Sequence, residues 1–448
     1  MKKILFIWMI FSLAACENWL DVSPKSQVKN EDLFKDEAGF QTAMFGVYTS
    51  MASSQLYGSE LTMGFMDILA KYYDIPSTMS YYKVTSYDYE SATVVSFCDL
   101  FWKNMYRIIM NCNNLLENLE GSEGLFATGH YPVMKGEMLG VRAYLHFDLL
   151  RMYAPSFAEG KTLPAIPYVD KLVRKPFPQL TVAQATERII GDCKIALEIL
   201  KESDPWVLEG KDEFSDRFFE KRRERMNYYA VKALLARVYL YAGNTVEAGK
   251  LADELIQTQG LGVVSPLFSL YSDKIQNHAD EFFAEKEDKS GIFTETDTRR
   301  EEIFEALKYT DDSRVLTWTG TKTGSTSVYL ITKYQKAKLV PLVRMNEMYY
   351  IYAECCGSEE EGLKALNKVR NNYSIPAQMD LKEGQCVFKD ELQKEYRKSF
   401  LAEGQFFYFL KRTDAKVLPS AAEIENPRKV FTLPMPEDEL EFGDLIKQ

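Results

Sequence analysis

Two stretches of this chain carry the same arithmetic, and it limits the fold more than anything else in the sequence. In MNYYAVKALLARVYLYAG, Val231, Leu234, Leu235, Val238 and Tyr241 or Ala242 recur at helical spacing and share one face. Gly243 follows as a helix stop, and Asn244 or Thr245 is placed to cap a second helix. Ala248, Leu251, Ala252 and Leu255 give that second helix its own apolar face. Two amphipathic helices a few residues apart fold back as an antiparallel hairpin. MNEMYYIYAECCGSEEEGLKALNKVRNNY repeats the pattern, with Gly357 in the turn. Ala236 and Ala248 stand twelve apart in the first pair, as do Ala353 and Ala365 in the second.

Twelve is the offset at which small residues let tetratricopeptide helices cross closely. Further helices are predicted over 101–120, over 134–154 with Pro155 ending it, over about 181–200 with Thr181 as N-cap, and from about Glu31 onward. Strand signal is confined to short pieces such as VLTWTG, 315–320. The fold class is therefore mostly α. Three irregular stretches interrupt the helices: 71–91, a Pro-rich connection at 155–180, and a polar region at 261–330. Long loops in a compact helical protein are functional or disordered, and abundant aromatics with little Gly argue against disorder here.

The chain has 448 residues, of which 46% are hydrophobic, enough for a large core, and no linker divides it. Its formal charge is −11, or −13 once Lys2 and Lys3 are removed with the leader described below. With no basic stripe to offset that, nucleic acid is excluded as a partner. His130, His146 and His278 lie far apart, and GxxxxGK[ST], GxGxxG after a strand and GxSxG are all missing. No catalytic residue, metal or cofactor is expected. Asp311–Asp312, Glu301–Glu302 and the run at 359–361 read as solvated surface, and the charged run at 221–225 as a helix start. Arg344 and Glu347, three apart on one helix, are expected to pair with each other or with a neighbour. The six cysteines beyond Cys16 read as free and mostly buried, a Cys98–Cys112 disulfide being the one conceivable bridge.

The opening MKKILFIWMIFSLAAC reads as a secretory leader, residues 1–15. Two lysines precede an apolar run at 4–13 that is too short to cross a bilayer, which takes about 20 residues. Leu13-Ala14-Ala15-Cys16 matches the bacterial lipobox, so Cys16 is the expected lipidation site. No second apolar run of 18 or more follows, so acyl chains are expected to anchor the chain to a membrane without its spanning it.

Six segments, in order along the chain, resemble the SusD/RagB family of outer-membrane nutrient-binding lipoproteins. They are ENWLDVSPKSQV after Cys16, FWKNMYRIIMNCNNLLENL, GEMLGVRAYLHFDLLRMYA, VPLVRMNEMYYIYAEC, EYRKSFLAEGQFFYFLKRTD and FTLPMPEDELEFGDLIKQ. The chain departs from the pattern at YFLKRT, 408–413, where the family has Asp-Leu-Lys-Arg-Trp, and lacks the common Asn-Pro-Gly-Tyr ending. The departures suggest a divergent branch. The resemblance implies one SusD-like domain over 16–448, with an N-terminal part at 16–260 and a C-terminal part at 261–448. In it a tetratricopeptide-like scaffold carries a loop-rich part that supplies the ligand surface. It also implies a Gram-negative outer-membrane location facing the exterior, a SusC-like TonB-dependent barrel as partner, and an oligosaccharide or polysaccharide as ligand.

Tyr72, Tyr73, Tyr81, Tyr82, Tyr87 and Tyr89 make 71–91 the leading ligand loop, since aromatic faces stack on the C–H faces of sugar rings. Trp206 and Trp318 are further ligand candidates, whereas Trp19 and Trp102 read as anchoring or core residues. Three alternatives stay open at this point. The same architecture binds peptides in some relatives, a glycosidase would need two converging carboxylates, and a helical-repeat adaptor would bind proteins only.

Overall fold

Asp36 decides where the first long helix begins. The computed structural model describes residues 30–73, 75, 77–173, 175–272, 301–323, 326–331, 333, 338–419, 423–443 and 445–446, with the main chain alone over 317–331. The Asp36 carboxylate accepts the Gly39 amide at 3.0 Å. The stretch predicted as helical from about Glu31 is thereby cut into a single turn, Asn30–Leu33, and α1, Glu37–Met51. α2, Ala92–Leu119, starts well before the segment at 101, because Val94 and Cys98 extend its buried face toward the N-terminus. α3, His130–Tyr153, is enclosed along nearly its whole length and forms the centre of the molecule. α4, Val182–Ser203, starts as predicted. The Thr181 hydroxyl accepts the Gln184 amide at 3.2 Å while the Gln184 side chain accepts the Thr181 amide at 2.9 Å.

Both expected hairpins are present. α5, Tyr228–Tyr241, turns into α6, Thr245–Ile256, through Gly243 at φ +73°, and Asn244 caps α6 by accepting the Glu247 amide. α7, Met345–Cys355, turns into α8, Glu359–Asn372, through Gly357 at φ +72°, with Ser358 as the cap. α9, Phe388–Ser399, and α10, Gln405–Arg412, complete the long helices. From α1 to α10 each helix packs against the one before it, so the chain lays down a continuous array in sequence order. Ala236 and Ala248 are fully buried where α5 meets α6. The join between the two hairpins is closer still, because a Cβ on Gly249 would lie 2.8 Å from the Cβ of Cys355.

The described strands form three antiparallel pairs: β1, Pro164–Pro167, with β2, Gln179–Thr181; β3, Pro266–Tyr271, with β6, Leu339–Arg344; and β4, Trp318–Thr323, with β5, Thr326–Ile331. The predicted strand at 315–320 is only half right. Ser313–Thr317 is a tight 3₁₀ turn, set by Asp312 accepting the Arg314 amide at 3.0 Å, and the strand begins at Trp318.

Several charged residues are buried, and one of them, Asp312, was expected at the surface. In the run at 221–225, Arg222 is fully enclosed, donating to Asp204 at 3.1 and 2.7 Å and also to Glu137, while Arg225 donates to Glu137 at 2.9 Å. That run forms a 3₁₀ turn, Arg222–Glu224, and not a helix start. Asp312, expected in solvent beside Asp311, is buried and holds Arg314 at 2.8 Å. Glu395 sits between Arg314 at 2.7 Å and Arg370 at 3.1 Å. Against the upward push of burial, Arg314, Lys398 and Arg370 hold its carboxyl down at about 2. Arg344 and Glu347 pair with neighbours, Glu403 and Arg237, and not with each other. The run at 359–361 does lie exposed in the first turn of α8. Cys98 and Cys112 are free thiols on one helix, fourteen residues and so about 21 Å apart, which rules out a disulfide between them.

Candidate functional site

The tyrosine stretch after residue 70 divides into a buried half and a surface half. Its start is tied down by Asp67, a fully enclosed carboxylate that accepts the amides of Ala402 at 2.6 Å and Gly404 at 3.1 Å. Burial pushes that carboxyl well above the ordinary carboxylate range, with the two amides opposing it. Tyr72 adds a second tie, donating its hydroxyl to the Arg397 carbonyl at 2.6 Å, and its ring lies 5.7 Å from that of Phe406. Tyr72 and Tyr73 are therefore core residues and offer no face to a ligand. This corrects the expectation that placed them in the binding loop. Hydrophobic rings so close to the Asp67 anchor are drawn inward with it.

Beyond residue 80 the chain rises to the surface. Tyr81 donates to Glu60 at 2.6 Å and stacks on Phe97, while Tyr82, 39% exposed, opens the short helix Tyr82–Thr85. Tyr87 follows in the left-handed region, φ +55°. Lys71 lies 4.5 Å over its ring and donates to Thr85 Oγ1 at 3.1 Å. The Tyr87 hydroxyl donates to the Leu69 carbonyl at 2.7 Å, and that of Tyr89 to the Val430 carbonyl at 2.6 Å. Burial raises both phenols, so they stay protonated at neutral pH. Their protons are committed to the main chain, and what the two residues present is ring surface.

Tyr87 and Tyr89 form one wall of a cleft of about 630 Å³. Asp88, Glu90, Val95 and Asp99 continue that wall, and Tyr153 of α3 contributes to the lining. The other wall comes from the C-terminal segment: Asn426, Arg428, Lys429, Thr432, Met435 and Glu437. Asp88 pairs with Lys83 at 2.9 Å, and Arg428 with Glu159 at 3.1 Å. A smaller pocket, about 200 Å³, lies between Trp102, Tyr106, Phe177 and Leu445. Such concave, partly aromatic clefts with a few polar groups are where small ligands are held.

Of the remaining candidates, Trp206 is buried, edge-on to Tyr229 at 5.0 Å with the Arg223 guanidinium 4.5 Å over its ring. It belongs to the core, because the fold packs an aromatic and a cation on it. The side chain of Trp318, together with Cys16 and Trp19, lies outside the described residues. Trp102 packs edge-on to Tyr153 at 5.0 Å in the core. Among the described residues no group of three or more His, Cys, Asp or Glu is placed to hold a metal. Nor is any described helix long and apolar enough to cross a membrane. The sequence reading missed the wall at 426–437. Its second half, from Phe431, was present in FTLPMPEDELEF, read there only as a structural ending, and 426–430 carried no signal.

Fold and cleft together define a helical-array protein with an aromatic-walled surface site. A SusD-like family described as "Starch-binding associating with outer membrane" matches residues 18–240, and the SusD family matches residues 282–425. The chain belongs to the SusD/RagB family. A SusD-like protein of Formosa agariphila is 25% identical over 172 residues, covering 36% of this chain and 32% of that protein. A second from the same organism is 24% identical over 266 residues, covering 57% of this chain and 46% of that one. These matches thus span a third to a half of the relatives' length. Among solved structures, a SusD superfamily protein from Bacteroides thetaiotaomicron superposes with a TM-score of 0.72 at 20% identity, covering 91% of this chain and 98% of that one. One from Bacteroides vulgatus gives 0.69 at 22% identity, covering 92% and 98%. A structure described as a laminarin-binding SusD-like protein gives 0.69 at 16% identity, covering 92% and 99%. At these identities the structural likeness establishes the shared, mostly helical fold.

Proposed function

We propose that this chain is a non-catalytic carrier, anchored by lipid at Cys16 on the outside of the outer membrane. It takes a glycan into the Tyr87–Tyr89 cleft and passes it to a TonB-dependent barrel. The observation that carries the reading is the cleft itself. Two aromatic rings whose hydroxyl protons are already used leave ring surface to bury the apolar faces of sugar units, and nearby polar side chains can meet their hydroxyls. The family description and the laminarin-binding structural neighbour support a glycan over other ligands. The lipobox residues support the anchor.

The test takes the chain from Glu17 onward and screens it by calorimetry against plant and host glycans and against peptide mixtures. Saturable binding of one glycan class, with the recovered glycan unshortened, is the expected result. Shortened glycan would make the cleft catalytic, with Asp99 and Glu437 the pair to mutate first. Binding of peptides alone would overturn the ligand. For the anchor, Cys16→Ala is expected to move the protein out of the membrane fraction, and continued retention there would contradict lipidation at Cys16.

A further inference from the structure

The cleft lining holds more negative than positive charge. Asp88, Glu90, Asp99 and Glu437 stand against Arg428 and Lys429. Two of these are answered locally, Asp88 by Lys83 and Arg428 by Glu159. What remains is Glu90, Asp99 and Glu437 against Lys429. Partial burial and the neighbouring charges of Asp438 and Glu437 raise the Asp99 carboxyl above its ordinary range, so Asp99 and Glu437 repel one another across the cleft. A ligand inside the cleft lies directly against these side chains, well within the screening length of about 10 Å at 0.1 M salt, so it feels their charges. The lining also offers an uncharged group. Asn426 lies in the lining, its side-chain oxygen accepting the Lys429 amide at 3.2 Å and its NH2 a neutral donor.

We propose that this cleft sorts glycans by charge, accepting neutral and amino-bearing sugars and turning away those that carry carboxylate or sulfate. The proposal rests on the reading of the cleft as the glycan site. A pyranose needs only stacking and uncharged hydrogen-bond partners, which the tyrosine rings and the Asn426 amide supply. A uronate or sulfate would bring a further negative charge against Glu90, Asp99 and Glu437, where Lys429 is the one described lining cation not already paired with a carboxylate.

The experiment compares laminarin, a neutral glucan, with carboxymethylated laminarin of the same chain length. Calorimetry is run at low and at high salt on the wild type and on the double variant Asp99→Asn, Glu437→Gln. The wild type is expected to bind the neutral glucan and to bind the carboxymethylated one at least about tenfold more weakly at low salt. High salt and the double variant should each narrow that gap. Equal affinity of the wild type for both glucans at low salt would overturn charge sorting and leave glycan capture standing. A gap untouched by salt and by the double variant would also overturn it, since the discrimination would then be steric. Neither glucan bound under any condition would overturn charge sorting as stated for a neutral glucan, and glycan capture would then stand or fall on the wider screen.

Discussion

His146 is the most enclosed of the described histidines, and its protonation state bears on how the protein meets acid. Its Nδ1–H donates to the Arg142 carbonyl at 2.9 Å, its Nε2 accepts the Val169 amide at 3.0 Å, and burial pushes its pKa down to about 3. Unfolded, the ring titrates near 6.5, so between those values only the unfolded chain takes up the proton. Stability is therefore lost as pH falls from 6.5 toward 3, by up to about 1.4 kcal/mol per pH unit from this residue. Melting curves across that range should show a shallower acid loss for His146→Gln than for the wild type, and parallel slopes would remove His146 from the explanation. Glu137 makes the opposite kind of case. It accepts from two enclosed guanidiniums, Arg222 and Arg225; Arg222 keeps Asp204, but Glu137→Gln takes the carboxylate from Arg225 and is expected to cost about 3–5 kcal/mol. A urea melt displaced by less than about 1 kcal/mol would show that water or relaxation replaces the carboxylate. Neither environment could be read from the sequence. Glu137 and Arg222 are 85 positions apart, and nothing local to either stretch shows that the fold brings them together.

Elements were the most legible level, because what makes a helix here is local. The 3.6-residue apolar period located the hairpins α5–α6 and α7–α8, and turn chemistry located Gly243, Gly357 and the Thr181 cap. Where the reading slipped, another local bond had taken over. Asp36 restarted the first helix at Glu37, and Asp312 folded Ser313–Thr317 into a 3₁₀ turn before β4. The capping box at Thr181 gives a test at this scale. Thr181→Ala removes the acceptor for the Gln184 amide and is expected to lower stability by about 1 kcal/mol. Thr181→Asp keeps an acceptor there and is expected to restore most of that loss in the same denaturation assay.

At the scale of the whole molecule, the helical array brings two distant pieces of chain, 87–99 and 426–437, to opposite sides of one cleft. The sequence pointed to the first piece through its tyrosines. It could not separate Tyr87 and Tyr89 from Tyr72 and Tyr73, because that difference arises where Asp67 meets the amides of Ala402 and Gly404, more than 330 residues away. The second piece was visible only as an ending. The central claim, that Tyr87 and Tyr89 hold a sugar by their rings, is tested most directly by two double variants compared by calorimetry on a glycan the wild type binds. Tyr87→Phe with Tyr89→Phe keeps both rings and should retain most of the affinity. Tyr87→Ala with Tyr89→Ala should weaken binding by about 1–3 kcal/mol per stacked ring, the scale of aromatic stacking on nucleic-acid bases, and also lower the melting temperature because both rings pack on the core, so affinities are compared where each variant is fully folded. Unchanged affinity in the Ala pair would place the glycan elsewhere and contradict the account.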